Sequence, residues 1–247
     1  MSAPEPHNAD IVRTSAYEFA LTTVLFFVVV SLVRWLAVPD SPLAISGPHA
    51  LFAVAGVLVA AVIIALMYSP PGRISGGHLN PGVTVFLWTN GLFPGKSVAP
   101  YITAQLAGSV AGAGLARIVW GKPVSQTGYA AVHPAQGTGT VGLFAIESAS
   151  LGAVFILVAL VMAQPKFIPL AVGAGVGIVI ATLGTVSGAS INPARDFGPA
   201  LLSGQYDHFW TYMIAPLVGA AAVGLARRRL RTANRRNPRS APATPAS

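Results

Sequence analysis

The sequence predicts an all-α membrane protein of six transmembrane helices and two re-entrant half-helices, arranged as two inverted halves. Three observations predict it. The first is composition. Hydrophobic residues make up 53% of the 247 and charged residues 9%, with a mean hydropathy of +0.66, which leaves too little polar surface to cover a soluble globule. The second is a set of six apolar runs, each long enough to cross a hydrocarbon core of about 30 Å, which takes about 20 helical residues. The third is a polar phrase that occurs once in each half: Ser75-Gly76-Gly77-His78-Leu79-Asn80-Pro81-Gly82 and Ser187-Gly188-Ala189-Ser190-Ile191-Asn192-Pro193-Ala194.

The six runs centre on Ala16–Ala37, Ala50–Tyr68, Val98–Val119, Val141–Met162, Ile168–Val186 and Phe209–Ala226. The first is too long for a signal-peptide core and lacks a small-residue cleavage pattern after it, so it is expected to be retained. Residues 1–15 and the basic tail 232–247 are expected to be disordered, being rich in Asn, Pro, Ala, Thr and Ser. One membrane domain remains, at 16–231, with halves at about 16–125 and about 140–231.

Each half holds three spans, and an odd number forces the second copy to enter the bilayer upside down, as in many transport folds. Glu18 opens the first span and Glu147 the fourth. Gly82–Trp88 and Ala194–Leu202 are too short to cross but begin like helices. Asparagine is a strong N-cap, and proline is tolerated at the first helical position, where its missing N–H would be unpaired anyway. Two such half-helices starting at the midplane would aim their positive dipole ends at one point, with the Asn80 and Asn192 amides as donors beside it. Gly76, Gly77, His78, Gly188 and Ser190 would run non-helically before the caps and offer carbonyl acceptors. Such backbone is tolerated at membrane depth only when it is buried in protein or lines a water-filled cavity.

Charge sets the orientation. Seven of the fifteen basic residues, Arg227, Arg228, Arg229, Arg231, Arg235, Arg236 and Arg239, follow the last span. With Arg13, Arg73, Lys96 and Lys166 they fall on one side of the six-span arrangement, which the positive-inside rule makes cytoplasmic for both termini. Arg34, Arg117 and Lys122 form the minority on the other side. No aromatic or base-reading pattern accompanies the arginines, so the net charge of +8 is a membrane signal and not a nucleic-acid one. The absence of cysteine excludes disulfides and thiolate metal sites. His78 and His133 lack metal-ligand partners at helical spacing, and no Ser-His-Asp arrangement is present. Neither a metal, a cofactor nor an enzyme is therefore expected. Asp196, following Arg195, is expected to pair with it.

The opening Glu18 and Glu147, the phrase ending in Asn80-Pro81, Gln105 within Thr103-Ala104-Gln105-Leu106-Ala107-Gly108, Asn192-Pro193-Ala194-Arg195-Asp196-Phe197-Gly198-Pro199-Ala200, and Pro216 together resemble the aquaporin and glycerol-facilitator family, also called major intrinsic proteins, from about Tyr17 to Ala226. The resemblance implies an hourglass of six tilted helices and two half-helices, a homotetramer in the plasma membrane with one pore per protomer, and passive movement of water and small uncharged solutes. It also implies that Glu18 and Glu147 are structural acceptors for the re-entrant loops. Read alone, intramembrane carboxylates default to function.

By the same resemblance Arg195 belongs to a selectivity filter with Ile180, Ala189 and a residue of the second span, either Val59 or Ala60. A histidine in the fifth span and a bulky aromatic in the second, usual in water-selective members, are absent at these positions. The filter therefore reads as one arginine against small or aliphatic side chains, wider and less polar than a strict water filter. Asp196 looks like the glycerol facilitators, whereas Ala200 and Tyr212-Met213 look like the plant nodulin-like and related bacterial members. The reading is a channel for water, glycerol-like polyols or uncharged metalloid acids. The alternatives are a strict water channel or, in a different class, an ion channel or proton-coupled transporter. Gly82 replaces the family's usual alanine, and its missing methyl is expected to loosen the contact between the two half-helices.

Overall fold

The computed structural model describes residues 7–236. Its α-helices are α1 (Asn8–Ala37), α2 (Pro48–Tyr68), α3 (Pro70–Ser75), α4 (Pro81–Thr89), α5 (Gly95–Trp120), α6 (Lys122–Gln126), α7 (Thr140–Val161), α8 (Ile168–Ser187), α9 (Pro193–Ser203) and α10 (Phe209–Arg236). Six of them, α1, α2, α5, α7, α8 and α10, are long and apolar enough to cross a membrane. The half-helices α4 and α9 run one residue beyond the predicted segments at each end.

Glycine sets the crossings. α1 packs on α5, and α7 on α10, as matching pairs of the two halves. A Cβ on Gly108 of α5 would meet the carbonyl of Phe19 in α1, and one on Gly219 of α10 would meet the carbonyl of Ser148 in α7. At the third pair, α2 against α8, Gly56 and Gly177 face each other, with built Cβ positions 2.5 and 2.7 Å from the opposite carbonyl oxygens. In a bilayer, where lipid is as apolar as leucine, such close backbone approach is what holds helices together.

Two boundaries differ from expectation. Helix α1 begins at Asn8, so residues 8–15 of the segment predicted to be disordered are helical. Asp10 sits in the first turn, where a negative charge favours the helix dipole, and pairs with Arg13 at 3.4 Å, while Ile11 is buried. Helix α10 likewise continues through Arg236, five residues into the predicted tail. The reason is a contact: Arg231 donates to the carbonyl of Asn90 and, at 2.9 Å, to its side-chain oxygen. Asn90 caps the C-terminus of α4, so a cation there meets the negative end of that half-helix. Residues 1–6 and 237–247 of those two segments lie outside the described residues.

Candidate pore and filter

Asn80 and Asn192 meet head to head. Each side-chain oxygen accepts from the backbone N–H two residues on, Gly82 at 2.7 Å and Ala194 at 2.9 Å, and so caps its own half-helix. Each side-chain nitrogen donates to the carbonyl preceding the other asparagine, Asn80 Nδ2 to Ile191 at 3.0 Å and Asn192 Nδ2 to Leu79 at 3.1 Å. A primary amide has two N–H donors, so each asparagine keeps one for the cavity it borders. The sequence alone did not foresee that the two caps would tie each other down.

The loops before the caps are held by the two buried glutamates. Glu18 Oε1 accepts from Ser75 Oγ at 2.7 Å and His78 N at 2.9 Å, and Oε2 from Leu79 N at 2.8 Å and Gln105 Nε2 at 2.9 Å. Glu147 accepts from Ser190 N at 3.3 Å and Ile191 N at 2.6 Å. These bonds sustain an unusual backbone: φ is +58° at Leu79 and +40° at Ile191, and for a β-branched residue a positive φ is a genuine outlier. Strain of about 1–3 kcal/mol per residue persists only where the surroundings over-determine it. Two tyrosines do the rest. Tyr101 Oη donates to the Ser75 carbonyl at 2.8 Å and Tyr212 Oη to the Ser187 carbonyl at 2.6 Å. Sequence reasoning gave neither this role, Tyr101 going unnoticed and Tyr212 serving only as a family mark, although a signal existed: Tyr101 stands four residues before Gln105, and Tyr212 four before Pro216, in matching helices of the two halves.

A cavity borders these groups. Its wall includes His78, Leu79 and Asn80 from one loop, Gly188, Ala189, Ser190, Ile191 and Asn192 from the other, and Arg195 from the first turn of α9. Aliphatic side chains form much of the rest, among them Val59, Ile63, Val176 and Ile180. The N–H groups of His78 and Leu79 turn to Glu18, those of Ser190 and Ile191 to Glu147, and those of Gly188 and Ala189 to the Gly184 carbonyl and Ser187 Oγ, which leaves the carbonyls of His78, Gly188, Ala189 and Ser190 without a protein donor among the described residues. Arg195 Nη1 is also buried without a hydrogen-bond partner. The wall thus carries a strip of polar groups on an apolar background.

Each predicted site residue can now be placed. Of the two second-span candidates, Val59 is in the wall; Ala60 turns instead to α8, where built Cβ positions on Gly173 and Gly177 meet its carbonyl and its methyl. Ile180, Ala189 and Arg195 share the cavity with Val59. His78 is both wall and packing, with Nδ1 2.9 Å from Thr84 Oγ1 and its ring centroid 4.8 Å from that of Phe93 and 5.0 Å from that of Tyr101. Gly76 and Gly77 fall outside the wall, because φ of +94° and +57° turns the chain so that Gly77 packs on Met67 and Gly76 on the His78 ring. Pro81, Gly82, Pro193 and Ala194 are buried in the first turns behind the caps.

Two expectations need correction. Asp196 makes no ion pair with Arg195 among the described residues, and its Oδ2 is buried without a hydrogen bond. Consecutive helical residues project about 100° apart, so with Arg195 on the lumen side its neighbour faces away. Gly82 does not face α9 either: a Cβ there would meet Leu151 of α7. The missing methyl leaves the half-helix junction intact.

Comparison with known proteins agrees with this geometry. The family described as Major intrinsic protein matches residues 5–227. The chain is 41% identical over 181 residues to the "Probable aquaporin AqpM" of Archaeoglobus fulgidus, covering 68% of this chain and 72% of that one. It is 34% identical over 183 residues to "Aquaporin NIP1-1" of Zea mays, covering 72% and 63%. Among solved structures, the X-ray structure of the aquaglyceroporin from Plasmodium falciparum superposes with a TM-score of 0.73 at 24% identity, covering 89% of this chain and 96% of that one; at that identity it shows the fold.

Proposed function

The chain belongs to the major intrinsic protein family, multi-pass membrane channels for water and small solutes and not enzymes, and on that premise we propose that it conducts glycerol-like polyols or uncharged metalloid acids together with water. The observation that carries this reading is the set of side chains at the filter positions, Val59, Ile180 and Ala189 beside Arg195 in one cavity wall, none of the three an aromatic or a histidine. A solute with a carbon skeleton can rest on those aliphatic side chains while its hydroxyl groups reach Arg195 Nη1 and the loop carbonyls.

Exclusion of ions follows from the same parts. The N-termini of α4 and α9 converge at the crossed asparagines, each with about half a positive charge, and the Arg195 guanidinium adds a full one, so a cation meets a barrier. The free N–H of each asparagine turns a passing hydroxyl or water oxygen toward itself and breaks a continuous proton wire. Anions gain little, since aliphatic walls replace none of their hydration. We also infer a homotetramer in the plasma membrane with both termini cytoplasmic. The exposed apolar residues Val57, Ile118 and Leu160 support contact with lipid or with a second copy.

The test is stopped-flow light scattering of proteoliposomes, comparing water, glycerol, urea and boric acid in one preparation. Glycerol or boric acid flux well above that of empty vesicles, without ionic current, is the expected result. Water flux alone would mean a strict water channel. Solute-coupled proton movement would mean a transporter.

A further inference from the structure

The aromatic group missing from the Val59, Ile180, Ala189 and Arg195 set stands elsewhere along the same path. Phe52 lies two turns before Val59 on α2, in one stripe with Ala55, Val59 and Ile63, all four in the cavity wall. Beyond Arg195 a second cavity opens, lined by residues 127 and 130–133 of the α6–α7 connection together with the ends of α1 and α2. Six residues border both cavities: Leu32, Val33, Phe52, Ala55, Gly188 and Arg195. They form the neck between vestibule and channel, and Phe52 is its one aromatic.

The ring occupies a slot made by an absent side chain. Gly184 lies one turn beyond Ile180 on α8, and a Cβ built on it would fall among the Phe52 ring atoms, within 2.7 Å of Cε1. The helical backbone of Gly184 asks for no positive φ, and the atoms nearest to a Cβ there are those of the Phe52 ring. With any larger residue there the ring must swing off α8, and the open side is the neck.

We propose that Phe52 is a specificity-determining residue of this channel and that Gly184 is the positioning residue that holds its ring flat against α8. A permeant entering the neck has the Phe52 face on one side and Arg195 with the Gly188 backbone on another. Such a pairing suits a solute with a C–H face and a hydroxyl edge, and it limits the number of carbons that pass at once. The inference rests on the polyol reading above for its substrate and on geometry alone for its location.

The experiment measures water, glycerol and erythritol permeability of proteoliposomes carrying the parent, Phe52→Ala, Gly184→Ala and the double variant, normalised to inserted protein. Phe52→Ala should raise erythritol flux several-fold while water changes little. Gly184→Ala should lower all three, erythritol most, and the double variant should return to the Phe52→Ala values, which a merely structural role for Gly184 would not produce. An unchanged erythritol-to-water ratio in Phe52→Ala overturns the proposal, whether or not the glycine variants insert. A double variant as impaired as Gly184→Ala assigns Gly184 to helix packing and also overturns it. A parent impermeable to both polyols would refute the polyol reading instead; the water fluxes of Gly184→Ala and the double variant would then decide whether the ring borders the path.

Discussion

Leu151 stands where a methyl on Gly82 would be: a Cβ built on that glycine lies 2.5 Å from Leu151 Cδ2. The leucine is 1% exposed and contributes to the cavity wall, so it fills the space behind the first half-helix while touching the path. Gly82→Ala therefore sets two effects against each other. Removing glycine from a helix gains up to about 1 kcal/mol, whereas forcing the leucine aside costs typically about 1–3 kcal/mol. We expect lower thermal stability in detergent and lower water flux for Gly82→Ala, with both recovered in Gly82→Ala/Leu151→Val. If the single variant is more stable than the parent and conducts normally, Leu151 yields freely and the two residues are not coupled.

The glutamates offer a comparison within one molecule. Glu18 accepts four hydrogen bonds, from Ser75, His78, Leu79 and Gln105, whereas Glu147 accepts from the Ser190 and Ile191 N–H groups and the Ser187 hydroxyl and lacks a counterpart to Gln105 among the described residues. A glutamine presents one acceptor oxygen and an NH2 group that confronts donors, so at least two of the Glu18 bonds would be lost, each worth about 1.5–3 kcal/mol when charge-assisted. Glu18→Gln should lower the unfolding temperature more than Glu147→Gln does. An equal or larger drop for Glu147→Gln would show that the number of bonds does not set the stability of these loops.

Much of this was legible in one dimension because the physics is local. An Asn-Pro pair starts a helix wherever it stands, and apolar runs report spans by length alone. Which of Val59 and Ala60 borders the cavity was not legible, since adjacent positions on an apolar helix differ in no sequence property; in space Ala60 packs on the glycine face of α8, at Gly173 and Gly177, and Val59 lines the wall. Nor was Phe52, whose partner Gly184 lies far along the chain and carries no side chain to mark the contact. The reciprocal bonds of Asn80 and Asn192 depend on the carbonyls of Leu79 and Ile191, which every residue type possesses.

Filter polarity is the next expectation. Ile180 shares the cavity wall with Arg195, so Ile180→His should narrow the path, add a hydrogen-bonding group opposite the arginine, and lower glycerol flux relative to water. Selectivity identical to the parent would mean that position 180 does not contact the permeant.

Arg195 carries the fixed charge at the same level, with Nη1 unpartnered among the described residues. Arg195→Val should admit protons or small cations that the parent excludes, because the remaining half-helix dipoles are weaker and lie deeper. Voltage-clamped bilayers and a pH-sensitive dye in vesicles both read this. The electrostatic account fails if the inserted variant passes water yet shows no new conductance.

The last expectation uses the absence of thiols. The chain has no cysteine, so mercurials should leave its permeability unchanged at concentrations that block a cysteine-bearing control channel. Ala189 lines the cavity and is 4% exposed, close enough in sequence to Asn192 that a thiolate there would hold a metal ion across the path. Its φ is +48°, so the larger side chain brings no new backbone strain, since alanine already bears the cost of a Cβ in the left-handed region. Ala189→Cys should therefore fold, conduct, and become sensitive to mercury, with recovery on adding excess free thiol. Block of the parent would place inhibition somewhere other than a cysteine. A folded, conducting Ala189→Cys that resists mercury would mean that the loop before Asn192 does not border the narrow part of the path.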